Sequence, residues 1–326
     1  MDATTSVRAP LGRTGLVTSR AGLGCGGRPR LGLRRDLGEA HAASLVTLAF
    51  DLGVNLIDTA ATYGTEPAVG RALRELPRDE LILSTKAGLW RTEGDPPPTG
   101  ADIVASLHAS LERLGTDRVE LFHLHGLTAA QWPLAESEIV PALERERDAG
   151  RIRHLAVSEH FNSDPGHEMF GRSLPADRFD VAMVGFNILN QTARETVFPR
   201  TIEARVGTLI MFAVRDGFSD PAALRTLLDR ASASGELHPE SLTGPVDDPL
   251  APFRAAASAR TNTELAYRFC AHEPGCDVVL TGTSRPEHLR ENVAAINAPP
   301  LPGDVTNDLR RIFSNVRTLT AQRPKT

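Results

Sequence analysis

Leu56-Ile57-Asp58-Thr59-Ala60-Ala61-Thr62-Tyr63-Gly64 carries, in nine residues, the unit that recurs through the chain. A short apolar run ends in a carboxylate, and a tyrosine follows five positions later beside a glycine. The pattern predicts a buried strand that delivers Asp58 to its end and then turns sharply. The same unit recurs along the chain: apolar strand, polar end, loop, amphipathic helix. A strand running into the glycine-rich Gly24-Cys25-Gly26-Gly27 precedes a helix at 41–52, and Leu56–Asp58 precedes one at 66–76. Leu81–Lys86 leads to 102–114, Val119–His125 to 136–149, and Ile152–Ser158 to a short helix at 165–171. Val181–Phe186 leads to 194–203, Thr208–Ala213 to 262–272, and Val278–Gly282 to 286–296. Continuous apolar strands alternating with amphipathic helices imply a parallel sheet covered on both faces. Eight such units suit a closed (β/α)8 barrel, the TIM-barrel arrangement, better than an open doubly wound sheet.

The remainder is read around that barrel as a single domain over residues 1–326. Residues 7–17, with turn signals at Gly12 and Gly15, form an opening hairpin. Residues 214–260 hold five prolines around a helix at 222–233, and read as a lid inserted after the seventh barrel strand. A last helix at 305–319 and its tail, to residue 326, pack outside.

Composition narrows the function. The 326 residues carry a formal charge of −5, with 41% apolar and 24% charged residues, which fits a globular protein with a large core. Without a clustered basic face, a nucleic-acid partner is not expected. Neither a leader nor a membrane span is visible in the sequence, so the expected compartment is the cytoplasm. Three cysteines without ligand spacing argue against a disulfide framework or a metal site. The chain has only two tyrosines, Tyr63 and Tyr267, and only two lysines, Lys86 and Lys325. Where arginine serves as the generic cation, a lysine kept at a strand end points to a need for an ammonium.

In such a barrel the C-terminal strand ends form the active face. Asp58, Lys86 and His125 end consecutive strands, and Tyr63 lies just beyond the first. Singly, each has a structural reading, such as a helix cap or a core histidine. Together they fit proton donation to a carbonyl oxygen. Lys86 is expected to lower the pKa of Tyr63, with Asp58 holding Lys86 charged and His125 binding a substrate oxygen. His123, two residues before His125, is expected on the opposite strand face. Ser284 with Glu287 reads as a capping box on the eighth helix, whose start is also an anion site. Trp90 and the lid are placed at the substrate pocket.

These segments resemble those of the aldo-keto reductases. The resemblance rests on Asp58-Thr59-Ala60 with Tyr63-Gly64, Ser84-Thr85-Lys86, Leu121–His125, Gly150–Ser158, and Thr281–His288 with Glu291-Asn292, and it runs from about Leu11 to Ile296. It implies a barrel that binds NADP(H) and reduces an aldehyde or ketone, with Tyr63 as general acid and Asp58, Lys86 and His125 as its partners. It further implies cofactor contacts from Gly24, Cys25, Ser158, Phe212, Arg215 and Gly217, and an adenosine-phosphate clamp at Gly282, Thr283, Ser284, Arg285, His288, Glu291 and Asn292. The family's usual Pro-Leu-Gly near position 215 is absent. Glu159 stands where the family commonly has Asn, and Met183 where it commonly has Gln, so the carboxamide is expected to be held by different contacts. Two alternatives follow: a nucleotide-binding sensor with little turnover, or a redox-neutral lyase or isomerase using Tyr63 and Lys86.

Overall fold

The computed structural model describes residues 7–90 and 94–323; Met1–Ser6 and Lys325 lie outside them. Eight parallel strands close into a barrel in the order β10-β3-β4-β5-β6-β7-β8-β9. They are β3 (Ala21–Gly24), β4 (Leu56–Asp58), β5 (Ile82–Gly88), β6 (Val119–Leu127), β7 (Ile152–Glu159), β8 (Val181–Gly185), β9 (Gly207–Met211) and β10 (Val278–Thr281). The expected hairpin is present as β1 (Arg8–Pro10) paired antiparallel with β2 (Val17–Ser19). Among the described residues no helix is long and apolar enough to cross a membrane.

Period-two alternation sorts each strand into an inner and an outer face. Leu56, Ile82, Leu121, Ala156, Val181, Leu209 and Val278 form an inner layer that packs with Leu11 and Leu16 of the hairpin turn. The hairpin thus stoppers one end of the barrel with leucine. One step up β4, β5, β6 and β7 the inner positions turn polar, at Asp58, Ser84, His123 and Ser158, while β8, β9 and β10 continue apolar with Met183, Met211 and Leu280. The outward residues, such as Ile57, Leu83, Phe122 and Val157, join the larger core under the helices. All polarity inside the barrel is therefore directed to the C-terminal strand ends.

The helices follow their local signals. Gly100–Leu114 opens on a capping box between Thr99 and Asp102 and ends at Gly115, whose φ is 66°. The 136–149 expectation is modified by Pro141: without an N–H it forces a π turn at Ala135–Ile139 before the helix Val140–Asp148. Pro199 likewise accompanies a division of the expected 194–203 helix into Ala193–Thr196 and Phe198–Ala204. The last helix, Gly303–Phe313, is shorter than expected. After β9 the insert carries the helix Pro221–Ala233, N-capped by the Asp220 side chain.

Candidate active site

β4 ends at Asp58, β5 carries Lys86 and β6 carries His125, on adjoining strands. Beyond β4 a single 3-10 turn, Ala61–Tyr63, is ended by Gly64 at φ 71°, a left-handed conformation glycine adopts without steric cost. That turn folds the Tyr63 ring back over the barrel mouth. Lys86 is buried (1% exposed), and its Nζ donates to Asp58 Oδ1 at 2.5 Å and to the Thr59 carbonyl at 2.8 Å. Ser84 Oγ donates to the same Asp58 oxygen at 2.7 Å. The Tyr63 hydroxyl lies 3.3 Å from His125 Nε2, and Lys86 Nζ lies 5.3 Å from the Tyr63 ring centroid. Trp90 flanks this cluster, its ring centroid 4.9 Å from that of His125. The four candidate catalytic residues and Trp90 do meet in space.

The electrostatics differ in part from expectation. Burial works against the Lys86 ammonium, but the Asp58 charge and hydrogen bond hold its pKa above the ordinary value. Burial raises the Tyr63 pKa, and Lys86, which works in the opposite direction, does not reverse the shift. The expected net lowering is therefore corrected: the phenol is kept as a proton donor. Burial, and then the Lys86 charge, push His125 down to about 3, so its ring is neutral. His123 shares the inner face with His125, because residues two apart on a strand point the same way. It sits opposite Lys86 in the register and is fully buried, which corrects the expectation that it faces away. Burial and Lys86 push its pKa down.

From this cluster a groove of 1440 Å³ runs across the strand ends to the helix Pro286–Asn297. Gly24, Ser158, Glu159, Met183, Phe212 and Arg215 line its near part, and Gly282, Thr283, His288, Glu291 and Asn292 its far end. Cys25 is buried below, its amide bonded to the Asp58 carbonyl. Gly217 is held by the Ala321 carbonyl, and Arg285 is exposed at the rim. The capping box expected from Ser284 and Glu287 does not form. Arg285 occupies the cap position without a side-chain cap bond, and the Thr283 hydroxyl accepts from the Arg285 amide instead. The Ser284 carbonyl faces His41 Nε2 at 2.8 Å.

The residues expected on the nicotinamide side are arranged as no sequence signal foretold. Glu159 Oε2 lies 2.8 Å from His167 Nδ1, and its Oε1 accepts from the Gly185 amide at 2.7 Å. Both side chains are completely buried. Phe161 stacks on His167 and on Phe212, with centroids 5.5 and 6.1 Å apart. The Arg215 guanidinium lies 3.8 Å over the Phe212 ring and donates to Asn162, Thr320 and Gln322, while burial pulls its pKa to about 10. Phe212 holds φ at 67°, a left-handed value uncommon outside glycine. Sequence reading missed Ser84, Phe161, Asn162 and His167. Only Ser84 had a signal, since it lies two residues before Lys86 on one strand face.

The residues fit a dinucleotide in the groove's length and in the uncapped helix start at its far end, which suits a phosphate. At the carboxamide end the donor set is unusual: both Glu159 oxygens are engaged, and Met183 offers only a weak thioether acceptor.

The aldo/keto reductase family model matches residues 25–313. The chain is 26% identical over 321 residues to the NADH-specific methylglyoxal reductase of Escherichia coli (strain K12), covering 92% of this chain and 96% of that one. It is 29% identical over 303 residues to the D-threo-aldose 1-dehydrogenase of a Pseudomonas species, covering 82% and 87%. Among solved structures, an aldo-keto reductase from Bacillus halodurans in its holo form superposes with a TM-score of 0.70, at 26% identity over 94% of this chain and 96% of that one. With a closed barrel, a match over most of its length and relatives named as oxidoreductases, the chain belongs to the aldo/keto reductase family and is an NAD(P)H-dependent oxidoreductase.

Proposed function

We propose that the protein reduces a small aldehyde or ketone with NADPH, and that Tyr63 is the proton donor. One observation carries the reading: a protonated phenol set beside a buried Lys86–Asp58 pair at the end of a dinucleotide-sized groove. When bound, the nicotinamide supplies a hydride, two electrons with a proton, to the carbonyl carbon. The carbonyl π electrons move to oxygen, and Tyr63 gives that oxygen its proton. Lys86 offsets the phenolate that results, and Asp58 keeps Lys86 charged and aimed. Neutral His125 can present an Nε2–H to the substrate oxygen. Its Nδ1 is buried without a partner among the described residues, and a bare lone pair is the cheaper group to leave there. Trp90 forms the wall of the substrate end, and the 214–260 insert serves as the lid. Arg28 reaches the insert's Asp216 at 3.0 Å.

Preference for NADPH is supported by the Arg285 guanidinium, with the His288 ring beside it, at the uncapped helix start, where both could meet a 2′-phosphate. Glu291 in the same part of the groove would oppose that phosphate, so the nucleotide comparison is the sharper test. The expected result is a lower KM for NADPH than for NADH, with Arg285→Ala raising only the former. Equal KM values would remove the NADPH assignment. For the chemistry, Tyr63→Phe should lower turnover about 10²- to 10⁴-fold, the range of a general acid, with nucleotide affinity retained. Full activity in that variant would refute Tyr63 as donor. A second reading, nucleotide binding with little turnover, is supported by the Glu159 and Met183 contacts. Rapid steady-state reduction of any carbonyl would exclude it.

A further inference from the structure

The segment 317–323 has neither helix nor strand, yet Leu319, Thr320 and Ala321 within it are buried. Ordering an irregular segment costs conformational freedom, which its contacts have to offset. Glu236, just past the insert's helix, accepts from the amides of Arg317 and Thr318, both at 3.0 Å, and from the Thr318 hydroxyl at 2.8 Å. Asn190 Nδ2 donates to the Leu319 carbonyl at 2.9 Å. Ala321 then turns left-handed, at φ 58°, and its carbonyl takes the Gly217 amide at 3.1 Å. Gln322, next in the chain, lines the groove.

What this segment holds is Arg215. Its Nη1 donates to Asn162 Oδ1 at 2.8 Å, to the Thr320 carbonyl at 3.2 Å and to Thr320 Oγ1 at 3.3 Å, and its Nη2 donates to Gln322 Oε1 at 3.0 Å. These acceptors are all neutral, and among the described residues no carboxylate hydrogen-bonds to the guanidinium. Asp216, the next residue, is engaged by Arg28 at 3.0 Å and by the Arg323 amide at 2.9 Å. Arg215 stays charged at neutral pH although burial pulls its pKa to about 10. A half-buried cation answered only by dipoles favours an anion beside it. Arg215 lines the near part of the groove, and the phosphate-suited helix start lies at the far end. A dinucleotide that reaches both lays its bridging phosphates between them.

We propose that the segment 317–323 is part of the nucleotide site, with Thr320 and Gln322 as positioning residues that hold Arg215 ready for the bridging phosphates. The inference rests on the nucleotide reading above and adds to it a stretch of chain far from the barrel strands in sequence. A free arginine side chain would lose its rotamer freedom at the moment of binding. Neutral acceptors restrain it beforehand and leave its charge unquenched, which a carboxylate would not. The Ala321 carbonyl fixes the Gly217 amide in the same way, so the backbone beside Arg215 is set as well. Thr320 and Gln322 thus act through Arg215, on the affinity and the release of nucleotide.

The test compares two ligands on the full chain: NADPH, followed by its own fluorescence at equilibrium and in stopped flow, and adenosine 2′-phosphate, which carries neither bridging phosphate, as its competitor. NADH and adenosine replace them if the wild type binds NADH more tightly. Gln322→Ala and Thr320→Val should each weaken NADPH about tenfold, the worth of one hydrogen bond to a charged group, chiefly through faster release. Neither should change the inhibition constant of adenosine 2′-phosphate. In an Arg215→Ala background neither should weaken NADPH further. A merely structural role would weaken both ligands alike and would persist without Arg215. That result, or wild-type NADPH affinity in both variants, overturns the positioning role and leaves the nucleotide reading standing. If the wild type binds no nucleotide, that reading falls and this inference falls with it.

Discussion

Asp58→Asn tests the electrostatic centre of the barrel without reference to any substrate. In the wild type the Lys86 ammonium is fully enclosed, with Asp58 at 2.5 Å as its carboxylate partner and the Thr59 carbonyl as its second acceptor. Asparagine keeps the volume and can still accept from Ser84 and Lys86, so no cavity opens. What disappears is the counter-charge. Breaking a buried pair in this way costs about 3–5 kcal/mol, because the surviving charge is left uncompensated. Lys86 can escape that penalty by giving up its proton. Taking its pKa from the ordinary 10.5 to below 7 costs about 1.4 kcal/mol per unit, which caps the loss near 5 kcal/mol at pH 7.

The escape route makes the prediction sharp, because its cost depends on pH. In the variant the unfolded chain binds a proton that the folded chain has released, so stability rises with pH until about 10.5. In the wild type the folded pKa is raised instead, so the Lys86 contribution is complete below 10.5 and is lost only above it. The difference between the two proteins should therefore shrink from about 5 kcal/mol at pH 7 to about 1.4 kcal/mol at pH 9.5. Urea unfolding followed by circular dichroism at both pH values measures it. A penalty that is the same at both values, or below about 1 kcal/mol at pH 7, would refute the claim that Asp58 supports a buried ammonium.

Two further perturbations probe neighbouring parts of the site. His123 is buried neutral with its pKa driven down by burial and Lys86, so the unfolded state binds its proton first as pH falls below 6.5. His123→Gln should then flatten the dependence of stability on pH between 6.5 and 5 by close to one proton, and unchanged slopes would contradict its placement beside Lys86. At Gly185 a Cβ would fall 2.3 Å from the Phe161 ring. Gly185→Ala should therefore displace Phe161 from the His167–Phe212 stack, lowering stability by about 1–3 kcal/mol in the same urea assay, and no loss would mean that Phe161 is free to move aside.

Much of this molecule is legible locally. The strand Leu56–Asp58 was bounded correctly because an apolar run, a charge and a glycine turn lie within nine residues. The convergence of Asp58, Tyr63, Lys86 and His125 followed from strand order alone, since consecutive parallel strands must be neighbours in a barrel. The misreadings have local causes too. A simple parity error put His123 on the wrong face. The capping box at Ser284 failed because the helix begins one residue later, with Arg285 at the cap and Glu287 second rather than third in the helix. The sign of the Tyr63 shift was misjudged because burial depth, which outweighs Lys86, is not written in the spacing of residues. His167, Phe161 and Asn162 were out of reach for a different reason. They lie in one loop after β7, but Phe161 packs against Gly185 of β8 and against Phe212, Asn162 meets Arg215 and Thr320, and His167 turns back onto Glu159.

The polarity of the barrel interior ties these observations together. The hairpin leucines close one end, so no polar group there could reach water or a ligand. The inward polar side chains then sit at the open end, where Asp58, Ser84 and Lys86 satisfy one another, while the His123 ring is buried neutral without a partner among the described residues. Glu159 breaks the pattern. It has the parity of the outward Leu155 and Val157, which pack under the helices, and in that apolar shell a carboxylate would ordinarily be excluded. Two backbone features allow it: β8 ends at Gly185 with its amide free to donate, and the following loop turns left-handed at His167. Glutamine would bury the same shape at that position without a charge. The His167 ring and the Gly185 amide together make a carboxylate tolerable at a position whose neighbours of the same parity are apolar.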